Sequence, residues 1–477
     1  MPAGHPGGDW GGVATHRNAR GVQGVQHLLV RLAGEQLDLA GGQADLDVDA
    51  VAPGPDRTAL LRHRRGPAFA FGSDAMEHIG ATNRFGCSRT VTRVASICIS
   101  ISPAVRRFSC PVDGCGQKAC PVHDAEDKQW RHLDFFQHEA YMHARLPRVR
   151  CHEHGVHQVN VSWARPGSGF TLLFEALLIT FATAMPVAKV GEIAREHDTR
   201  VWRVIENHVA RERAKLDFAE VREVGLDETS AAKGQDYITV FMDLLLRRVL
   251  FAIEGRDAST VKAFAADLVA HGGDPELITR TSSDMSNAFI AGVGDNLPNA
   301  EMTFDRFHVM KLLSEAVDDV RRVEQRDNPL LKKTRYIWLK NETNLTAKQK
   351  ETRAWLTRPS MRLATARALR WREDFQAFYD QPQQAAEAYL RHWCYGAKRS
   401  RLEPLKHFVK SVEDHWDGII SWHASRISNG LLEGTNSLIQ AAKARARGYR
   451  SKRKMIAITY LIAGKLPTSS PFVIHTM

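Results

Sequence analysis

The sequence has few cysteines, no long apolar run and fewer acidic than basic residues. The first two features exclude classes of protein, and the third indicates a class of partner. Its seven cysteines are unevenly spread along 477 residues, unlike the regular spacing of a disulfide framework. No uninterrupted apolar run is long enough to span a bilayer, and no signal peptide is recognisable, so we expect a soluble intracellular protein without membrane contact. The formal net charge of +11 at pH 7 favours a polyanionic partner.

The first eighty residues lack sustained hydrophobic periodicity and hold 14 of the 34 glycines. Their apolar clusters are too short to make a core, so we expect residues 1–87 to form a disordered leader. The alternative is that this leader is upstream DNA read through from an early start, with Met76 nearer the functional beginning.

Residues 88–165 contain two short-range pairs of metal ligands, Cys110 with Cys115 and Cys151 with His154. Because each pair occupies one tight turn, the two pairs together suit a closed tetrahedral site for one structural Zn²⁺. Four ligands would leave no open position for catalysis. Free buried cysteines with incidental histidines are the alternative interpretation. The competing ligands nearby are Cys120, His123, His152 and His157.

Residues 166–216 predict three helices, which we place at residues 170–184, 187–197 and 201–215. The second and third have the proportions of a helix-turn-helix, whose second helix enters the major groove with its amino-terminal residues. Arg200, Trp202 and Arg203 stand at that entrance and are the candidate DNA contacts. An ordinary bundle of linker helices is the alternative.

Residues 217–309 predict three consecutive strands, a helix and a fourth strand. The strands are expected at residues 221–226, 237–246, 249–253 and 277–281, and the helix at residues 259–271. Asp227 follows the first strand and Asp284 the fourth, and two carboxylates at neighbouring strand ends suit a divalent metal. This α/β order is the arrangement of ribonuclease-H-like phosphoryl-transfer domains.

Other acidic residues of this region are expected to play lesser roles. Strand alternation should point Glu228 to the opposite face from Asp227. Asp243 should lie within a strand, and Asp295 should cap or turn. Asp305 and His308, at the end of a further strand, either support the metal ligands from outside or form a buried hydrogen bond at the strand end.

Residues 310–423 hold six of the ten tryptophans and only two glycines, and their helical spacing predicts an all-α insertion. The chain then returns to the ribonuclease-H-like domain over residues 424–466, leaving a tail at residues 467–477. There a predicted helix carries Glu433, Asn436 and Gln440 on one face, from which Glu433 can present a carboxylate to a metal.

Residues 443–454 contain seven lysines or arginines and no acidic residue. A basic run of this kind is most often a solvated face. Because it directly follows a candidate metal carboxylate, we interpret it as a contact to the phosphate backbone of DNA. The candidate residues are Lys443, Arg445, Arg447, Arg450, Lys452 and Arg453.

The order of these motifs resembles the ISL-three family of bacterial insertion-sequence transposases. After the zinc knuckles and the helix-turn-helix come G-L-D-E-T, S-S-D-M-S, T-F-D-R-F-H-V and N-G-L-L-E-G-T-N-S-L-I-Q. The resemblance implies that Asp227, Asp284 and Glu433 form the family's acidic triad. The first knuckle is longer than the usual Cys-x2-Cys, and His154 stands where a cysteine is commoner.

The resemblance also implies the chemistry. Three carboxylates can hold two Mg²⁺ or Mn²⁺ ions about 3.5 to 4 Å apart, and water would first free a 3′-hydroxyl at the element end. That hydroxyl would then attack target DNA in the same site. The implied partners are double-stranded DNA, both terminal repeats and target, and further copies of the chain in a homodimer or larger assembly. The implied location is the bacterial cytoplasm, at the nucleoid when DNA is bound.

Two other classes of function compete with a transposase. A non-catalytic regulator built from the zinc module and the helix-turn-helix would not need three carboxylates, and all three are present. A nuclease of the same fold would cut DNA without joining it, and the sequence alone does not separate it from a transposase.

Overall fold

The computed structural model describes residues 107–467, apart from 136, 233, 235, 428 and 429, together with residues 60–61, 69–70 and 94–99. The leader predicted over residues 1–87 and the tail predicted over residues 467–477 therefore lie almost entirely outside the described residues. Contacts divide the chain into two compact units, of which the second runs from Phe181 to Pro467. Among the helices of the described part, none is long and apolar enough to cross a membrane. The secondary structure is mixed α/β and helical, as the sequence predicts.

The first unit is built on a long antiparallel hairpin. Its strands are β1 (Leu60–Leu61), β2 (Phe69–Ala70), β3 (Val94–Ile99), β4 (Arg107–Phe108), β5 (Cys120–Phe135), β6 (His138–Cys151) and β7 (Gly155–Gln158). β5 and β6 form the hairpin, with β3 parallel to β6 on its other edge. Leu146 and Val149 are fully buried, and the Trp130 ring packs edge-on against Trp163 with centroids 5.7 Å apart. The pairing brings the loop before β5 close to the loop after β6.

Three helices follow the hairpin: α1 (Leu172–Ala184), α2 (Val187–Ala194) and α3 (Asp198–Arg213). Pro186 separates the first two because its ring cannot continue a helix. The turn between α2 and α3 is tight, with Arg195 in the left-handed region at φ 56°. A Cβ on Gly191 would stand 2.6 Å from the Glu196 carbonyl oxygen, so only glycine permits this close turn.

The second unit contains a five-stranded sheet flanked by helices. Its elements are β8 (Glu223–Ser230), β9 (Tyr237–Asp243), β10 (Arg248–Glu254), α4 (Ala258–Ala270), β11 (Arg280–Ser283), α5 (Asn287–Asn296) and β12 (Glu301–Phe304). The strand order is β10-β9-β8-β11-β12. The first three strands are antiparallel, and β11 runs parallel to both β8 and β12. Phe241 stacks on Phe264 of α4 with centroids 4.5 Å apart and fills the core under this sheet.

Four details of this region differ from the sequence prediction. Asp227 lies inside β8, not after it, because Glu228 to Ser230 continue to pair with β9. Asp243 ends β9 and accepts hydrogen bonds from the amides of the following turn. Asp295 is an exposed residue in the last turn of α5.

The fourth difference concerns the last two strands. A 3-10 helix occupies Pro275–Leu277, since Asp274 caps it and proline favours a first helical position, so β11 begins only at Arg280. β12 ends at Phe304, and Asp305 is the residue that precedes the next helix. His308 therefore lies in the first turn of that helix, not at a strand end.

Every regular element between Arg306 and Ser425 is helical, which agrees with the expected all-α segment. The α-helices are α6 (Arg306–Asp327), α7 (Arg335–Leu339), α8 (Ala347–Leu356), α9 (Ala364–Gln376), α10 (Gln383–Lys398), α11 (Glu403–Asp414), α12 (Trp416–Ile420) and α13 (Trp422–Ser425). Their shared core is aromatic, with Phe375 in contact with Trp393 and Phe408. Gly418 lies where a Cβ would come within 2.4 Å of the Phe304 ring, so this glycine lets the helical segment approach β12.

The chain ends with two helices that return to the sheet, α14 (Gly430–Arg445) and α15 (Lys452–Ala463). Tyr460 of α15 accepts a hydrogen bond of 2.8 Å from the Ala252 amide of β10. The Arg213 guanidinium of α3 lies 4.6 Å from the centroid of the same tyrosine ring. Helix α3 therefore packs beside α15 within the second unit.

Candidate metal centres and DNA-contacting surface

Three aspartates stand at one level across neighbouring strands of the sheet. In the parallel register, Arg280 of β11 pairs with Glu223 of β8 and with Glu301 of β12. Asp227, Asp284 and Asp305 each stand four residues after these three paired positions. Asp284 and Asp305 directly follow their strands, whereas Asp227 lies where β8 runs on past β11. Counted onward from this register, the three residues come at the same level at one edge of the sheet.

Helix α14 brings Glu433 to this edge. Leu432, its neighbour, is fully buried against β8 and β9 in a small cluster with Met242 and Leu244. A Cβ on Gly225 would lie 2.4 Å from a Leu432 methyl carbon, so glycine at this position of β8 makes room for the helix. The glycine of G-L-D-E-T is thus required by the approach of the segment that carries Glu433.

The carboxylates at this edge influence one another. Burial raises the pKa of Asp227, and the charge of Asp284 raises it further. Burial likewise raises the pKa of Glu433, with added contributions from Asp305 and Asp227. Both shifts have burial as their main cause and the neighbouring carboxylates as a smaller one.

His308 is the basic group of this cluster. Its Nδ1 lies 3.2 Å from an oxygen of Asp305, which is only 3 % exposed. This hydrogen bond raises the pKa of His308, and the charges of Asp227 and Asp284 add to the effect. The structure therefore shows the hydrogen bond between Asp305 and His308, and the support of metal ligands by this pair stays a prediction.

Two buried oxygens at this edge have no hydrogen-bond donor in the described part of the chain. They are Oε1 of Glu433 and Oδ1 of Asn436. A buried acceptor without a partner costs about 1 to 3 kcal/mol, and more when it is charged. Carboxylate and amide oxygens are the ligands that hard divalent cations prefer, so this donor set fits a magnesium or manganese ion.

Asn436 and Glu228 also influence the acidic edge, a role that the sequence analysis did not give them. The Asn436 amide nitrogen donates to Asp227 Oδ2 at 2.8 Å and so fixes the orientation of that carboxylate. Strand alternation predicts that Glu228 points to the opposite face from Asp227. Burial and then the charge of Asp284 raise its pKa to about 7. The only signal in the sequence was the helical spacing that places Asn436 one turn after Glu433.

Glu228 gives a pH dependence that can be measured. Because its pKa rises from 4.5 to about 7 on folding, its stabilising contribution falls as pH rises through this interval. Without added magnesium or manganese, Glu228→Gln should therefore raise the melting temperature at pH 8 by a few degrees and leave it nearly unchanged at pH 5. The matched control is Glu220→Gln, since the Glu220 side chain is 94 % exposed. A similar shift at both pH values would contradict the assignment.

The four predicted zinc ligands form a compact cluster in the first unit. The Sγ atoms of Cys110, Cys115 and Cys151 and a ring nitrogen of His154 all lie within 4.8 Å of one another. The Nδ1 atom of His154 is 3.6 Å from the sulfur of Cys151 and 3.9 Å from that of Cys110. The backbone N–H of His154 lowers the pKa of Cys151, which favours the thiolate that binds metal. This donor set fits a structural Zn²⁺.

The competing ligands lie outside this cluster. The Cys120 sulfur approaches the Gln117 carbonyl at 4.0 Å, and His123 Nδ1 lies 3.1 Å from an Arg150 nitrogen. His157 contacts the His154 carbonyl through Nε2 at 2.6 Å. His152 is exposed on the same turn as Cys151. Among the described residues, no other group of three or more histidine, cysteine or acidic ligands reaches this closeness, the acidic edge of the sheet included.

The candidate DNA contacts of α3 differ in their accessibility. Arg203 is exposed, and Arg200 forms an ion pair of 2.5 Å with Glu196 on the preceding turn. Trp202 is only 7 % exposed and packs edge-on against Tyr449, with the Lys454 ammonium 4.7 Å from its ring centroid. Trp202 is therefore a core residue, and the prediction that it contacts DNA is wrong.

Six of the seven basic residues at 443–454 divide into two groups, and the seventh, Lys454, packs over the Trp202 ring. Four members bind groups of the protein itself: Lys443 the Ser230 carbonyl, Arg445 the Ala184 carbonyl, Lys452 both Asp236 and Glu254, and Arg453 the carboxylate of Glu206. Arg447 and Arg450 are exposed, and their side chains make no hydrogen bond or ion pair with the described part of the chain. Because Arg453 pairs with Glu206 of α3, the basic run and the third helix lie side by side.

Three family models match consecutive blocks of the chain. The first, described as the zinc-finger of transposase IS204/IS1001/IS1096/IS1165, matches residues 106–154. The second, described as the helix-turn-helix domain of transposase family ISL3, matches residues 159–209. The third, the DDE model of the same family, is described as a transposase and matches residues 224–459. Together the three models cover more than half of the chain, in the order that the sequence predicts.

Curated relatives agree with these matches. The chain is 29% identical over 389 residues to the transposase for insertion sequence element IS1557 of Mycobacterium tuberculosis (strain CDC 1551 / Oshkosh), covering 74% of this chain and 86% of the relative. It is 26% identical over 393 residues to the transposase for insertion sequence element IS1001 of Bordetella parapertussis, covering 79% of this chain and 95% of the relative. The zinc cluster lies within the matched zinc-finger block, and the acidic edge of the sheet lies within the matched transposase block. The chain belongs to the ISL3 family of insertion-sequence transposases.

Proposed function

We propose that this transposase cleaves DNA at the ends of its insertion sequence and joins the freed ends to target DNA in one acidic site. The catalytic residues of the proposal are Asp227, Asp284 and Glu433. The observation that carries it is the common register of Asp227, Asp284 and Asp305, to which α14 adds Glu433 with an oxygen that lacks a donor.

The topology supports a ribonuclease-H-like catalytic domain. Three antiparallel strands are followed by two strands parallel to the first, and helices connect the parallel strands. In an α/β sheet of this kind, sites form at the carboxyl ends of the parallel strands. We assign residues 217–309 and 424–466 to this domain, with residues 310–423 as its helical insertion, and residues 88–165 and 166–216 to the zinc module and the helix-turn-helix.

The acidic residues would bind divalent magnesium or manganese through Asp227, Asp284 and Glu433. Such ions, when bound, activate the attacking oxygen and stabilise the leaving oxygen of a phosphodiester. Asn436 holds the Asp227 carboxylate in place through its hydrogen bond. Asp305 keeps His308 oriented toward the carboxylates, so that a protonated imidazole offsets part of their charge.

Duplex DNA would contact the surface formed by α3 and the loop after α14. Arg203 on the exposed face of α3 suits base recognition at the terminal repeats, with Arg200 beside it. Arg447 and Arg450 suit phosphate contacts that carry no sequence preference. Two element ends must be held during joining, and we therefore propose a homodimer or larger assembly on DNA at the bacterial nucleoid.

An assay of cutting and joining tests the function directly. The purified protein is mixed with a labelled duplex that carries an end of its own element, a supercoiled target plasmid and Mg²⁺. We expect a nick with a free 3′-hydroxyl and then plasmid joined to the labelled end. Cutting without joining would identify a nuclease, and end binding without cutting would identify a regulator.

The proposed phosphate contacts predict a change in salt dependence. Each phosphate contact contributes about −0.9 to the slope of log K against log salt concentration. Arg447→Met with Arg450→Met should therefore flatten this slope by roughly two contacts and weaken binding to all DNA sequences alike. Arg367→Met, an exposed arginine of α9, is the control that should leave the slope unchanged. An unchanged slope in the double variant would exclude these two residues from the interface.

A further inference from the structure

Strand β8 has a free edge where it extends beyond β11. The register of β11 with β8 ends at Gly225, whereas the pairing of β8 with β9 continues to Ser230. Carbonyl groups of alternate residues in a strand point to the same edge. The Arg222 carbonyl accepts from the Thr279 amide on the β11 side, and Glu228 and Ser230 share its alternation. Their carbonyls thus need partners other than a strand.

Side chains of α14 supply these partners in order along the strand. The Asn436 amide nitrogen lies 3.4 Å from the Glu228 carbonyl oxygen, in addition to its bond to Asp227. The Gln440 amide donates to the Ser230 carbonyl at 2.9 Å and to the Thr229 hydroxyl at 2.7 Å. The Lys443 ammonium donates to the same Ser230 carbonyl at 2.6 Å.

These three side chains belong to one stripe of the helix. Residues three or four apart lie above one another on a helix surface. Asn436, Gln440 and Lys443 follow this spacing, and Glu433 is the next position of the stripe toward the amino terminus. A slip of α14 along β8 would therefore break all three contacts and carry Glu433 away from Asp227 at the same time.

We propose that Asn436, Gln440 and Lys443 form a polar ladder that sets the register of α14 on β8 and so positions Glu433 opposite Asp227. The inference rests on the proposed function of these two carboxylates. It reassigns Lys443, which the sequence placed among the phosphate contacts. The ammonium is half-buried and bonded to a backbone carbonyl, and binding a phosphate would require it to leave that partner.

Gln440→Glu and Lys443→Met test the ladder with little change in volume. In Gln440→Glu the donor to Ser230 becomes an oxygen that repels the carbonyl, and in Lys443→Met the donor is lost. We expect cleavage at saturating DNA to fall about 10- to 100-fold, the usual range for residues that orient metal ligands. We also expect a higher Mn²⁺ concentration for half-maximal cleavage, and Lys443→Arg, which keeps a donor, to recover most activity.

Two further measurements do not depend on bound metal. Hydrogen exchange in the metal-free protein should become faster at the amides of residues 430–445 in both variants, because the helix loses its anchors. The salt slope of DNA binding should stay at the wild-type value for Lys443→Met. Lys350→Met, at an exposed lysine of α8, is the control for loss of one positive charge, and Ala444→Gln is the control for a change on the exposed face of α14.

The outcomes separate this inference from the proposed function. Lys443→Met could flatten the salt slope of DNA binding by about one contact and keep wild-type hydrogen exchange and a wild-type Mn²⁺ requirement. That result would show that Lys443 contacts a phosphate, and it would overturn the ladder. Normal cleavage in both ladder variants would overturn it as well, provided that Asp227→Ala is inactive in the same assay. If Asp227→Ala is itself active, the acidic site is wrong and the proposed function fails first.

Discussion

Replacing Asp227 by alanine is expected to abolish metal-dependent cleavage while leaving binding to the element end intact. The carboxylate is half-buried, receives the Asn436 hydrogen bond and lies close enough to Asp284 for the two charges to interact. Divalent ions contribute several kcal/mol to stabilising charge in a phosphoryl-transfer transition state, so loss of one ligand should slow cleavage by about 10³-fold or more. The measurement is the rate of nicking of a labelled end duplex at saturating protein.

The matched control for this variant is Asp295→Ala. Asp295 is an exposed aspartate in the last turn of α5 and has no place at the acidic edge. Both variants should bind the end duplex with wild-type affinity, since neither lies on the surface proposed for DNA. Cleavage by Asp227→Ala at more than a tenth of the wild-type rate would remove Asp227 from the catalytic residues. A loss of end binding would instead assign it a role in the DNA interface.

The prediction that Asp227 and Asp284 lie near each other depends on strands that the sequence does reveal. Buried apolar runs gave the strands, and parallel strands of one sheet place their carboxyl ends at one edge. What the sequence did not contain was the extent of β8. Thr229 and Ser230 resemble turn residues, and they remain in the strand because β9 pairs with one edge and α14 covers the other. The contacting residue of α14, Gln440, lies 211 residues beyond Thr229 along the chain and leaves no local pattern.

The basic residues show the same limit more strongly. A run of lysines and arginines has one appearance whether the charges face solvent or pair with distant carboxylates. Lys452 is bound between Asp236 and Glu254, and Lys443 is bound to a backbone carbonyl, so neither is a free cation. The prediction for Trp202 failed for a related reason. Its position in the helix suited DNA contact, and the sequence did not show that Tyr449 packs against it. Charge and spacing predicted a DNA-contacting surface. Only the packing shows which of its residues are exposed and which bind other parts of the protein.

The zinc ligands were predicted more closely because their determinants are local. Each pair lies within a few residues on one turn, so the chain itself brings the two atoms together. The sequence favoured Cys110 and Cys115 and left Cys120 as a competitor. The structure separates them, because Cys120 begins β5 and its sulfur approaches a carbonyl. The departure of His154 from the family's usual cysteine leaves the cluster compact, with Nδ1 in the place of a fourth sulfur.

Replacing Cys151 by serine is expected to remove the zinc and unfold the module around it. Cys151 is only 2 % exposed and contacts both Cys115 and His154, so its thiolate is central to the cluster. Structural zinc sites contribute about 10 to 16 kcal/mol of apparent binding free energy near neutral pH, more than a small module gains from its apolar core. Metal analysis should show one zinc per chain in the wild type and almost none in Cys151→Ser.

Two control variants make the zinc prediction specific. Cys120→Ser changes a buried cysteine outside the cluster, and His152→Ala changes an exposed histidine on the same turn as Cys151. Both should keep one zinc per chain. If Cys151→Ser retains its zinc while Cys120→Ser loses it, the metal is held by a different set of ligands. Four protein ligands leave no open coordination position, so the zinc has a structural role. The metal-free variant should therefore lose structure in residues 107–158 while the sheet of the second unit stays folded. Hydrogen exchange would show both effects.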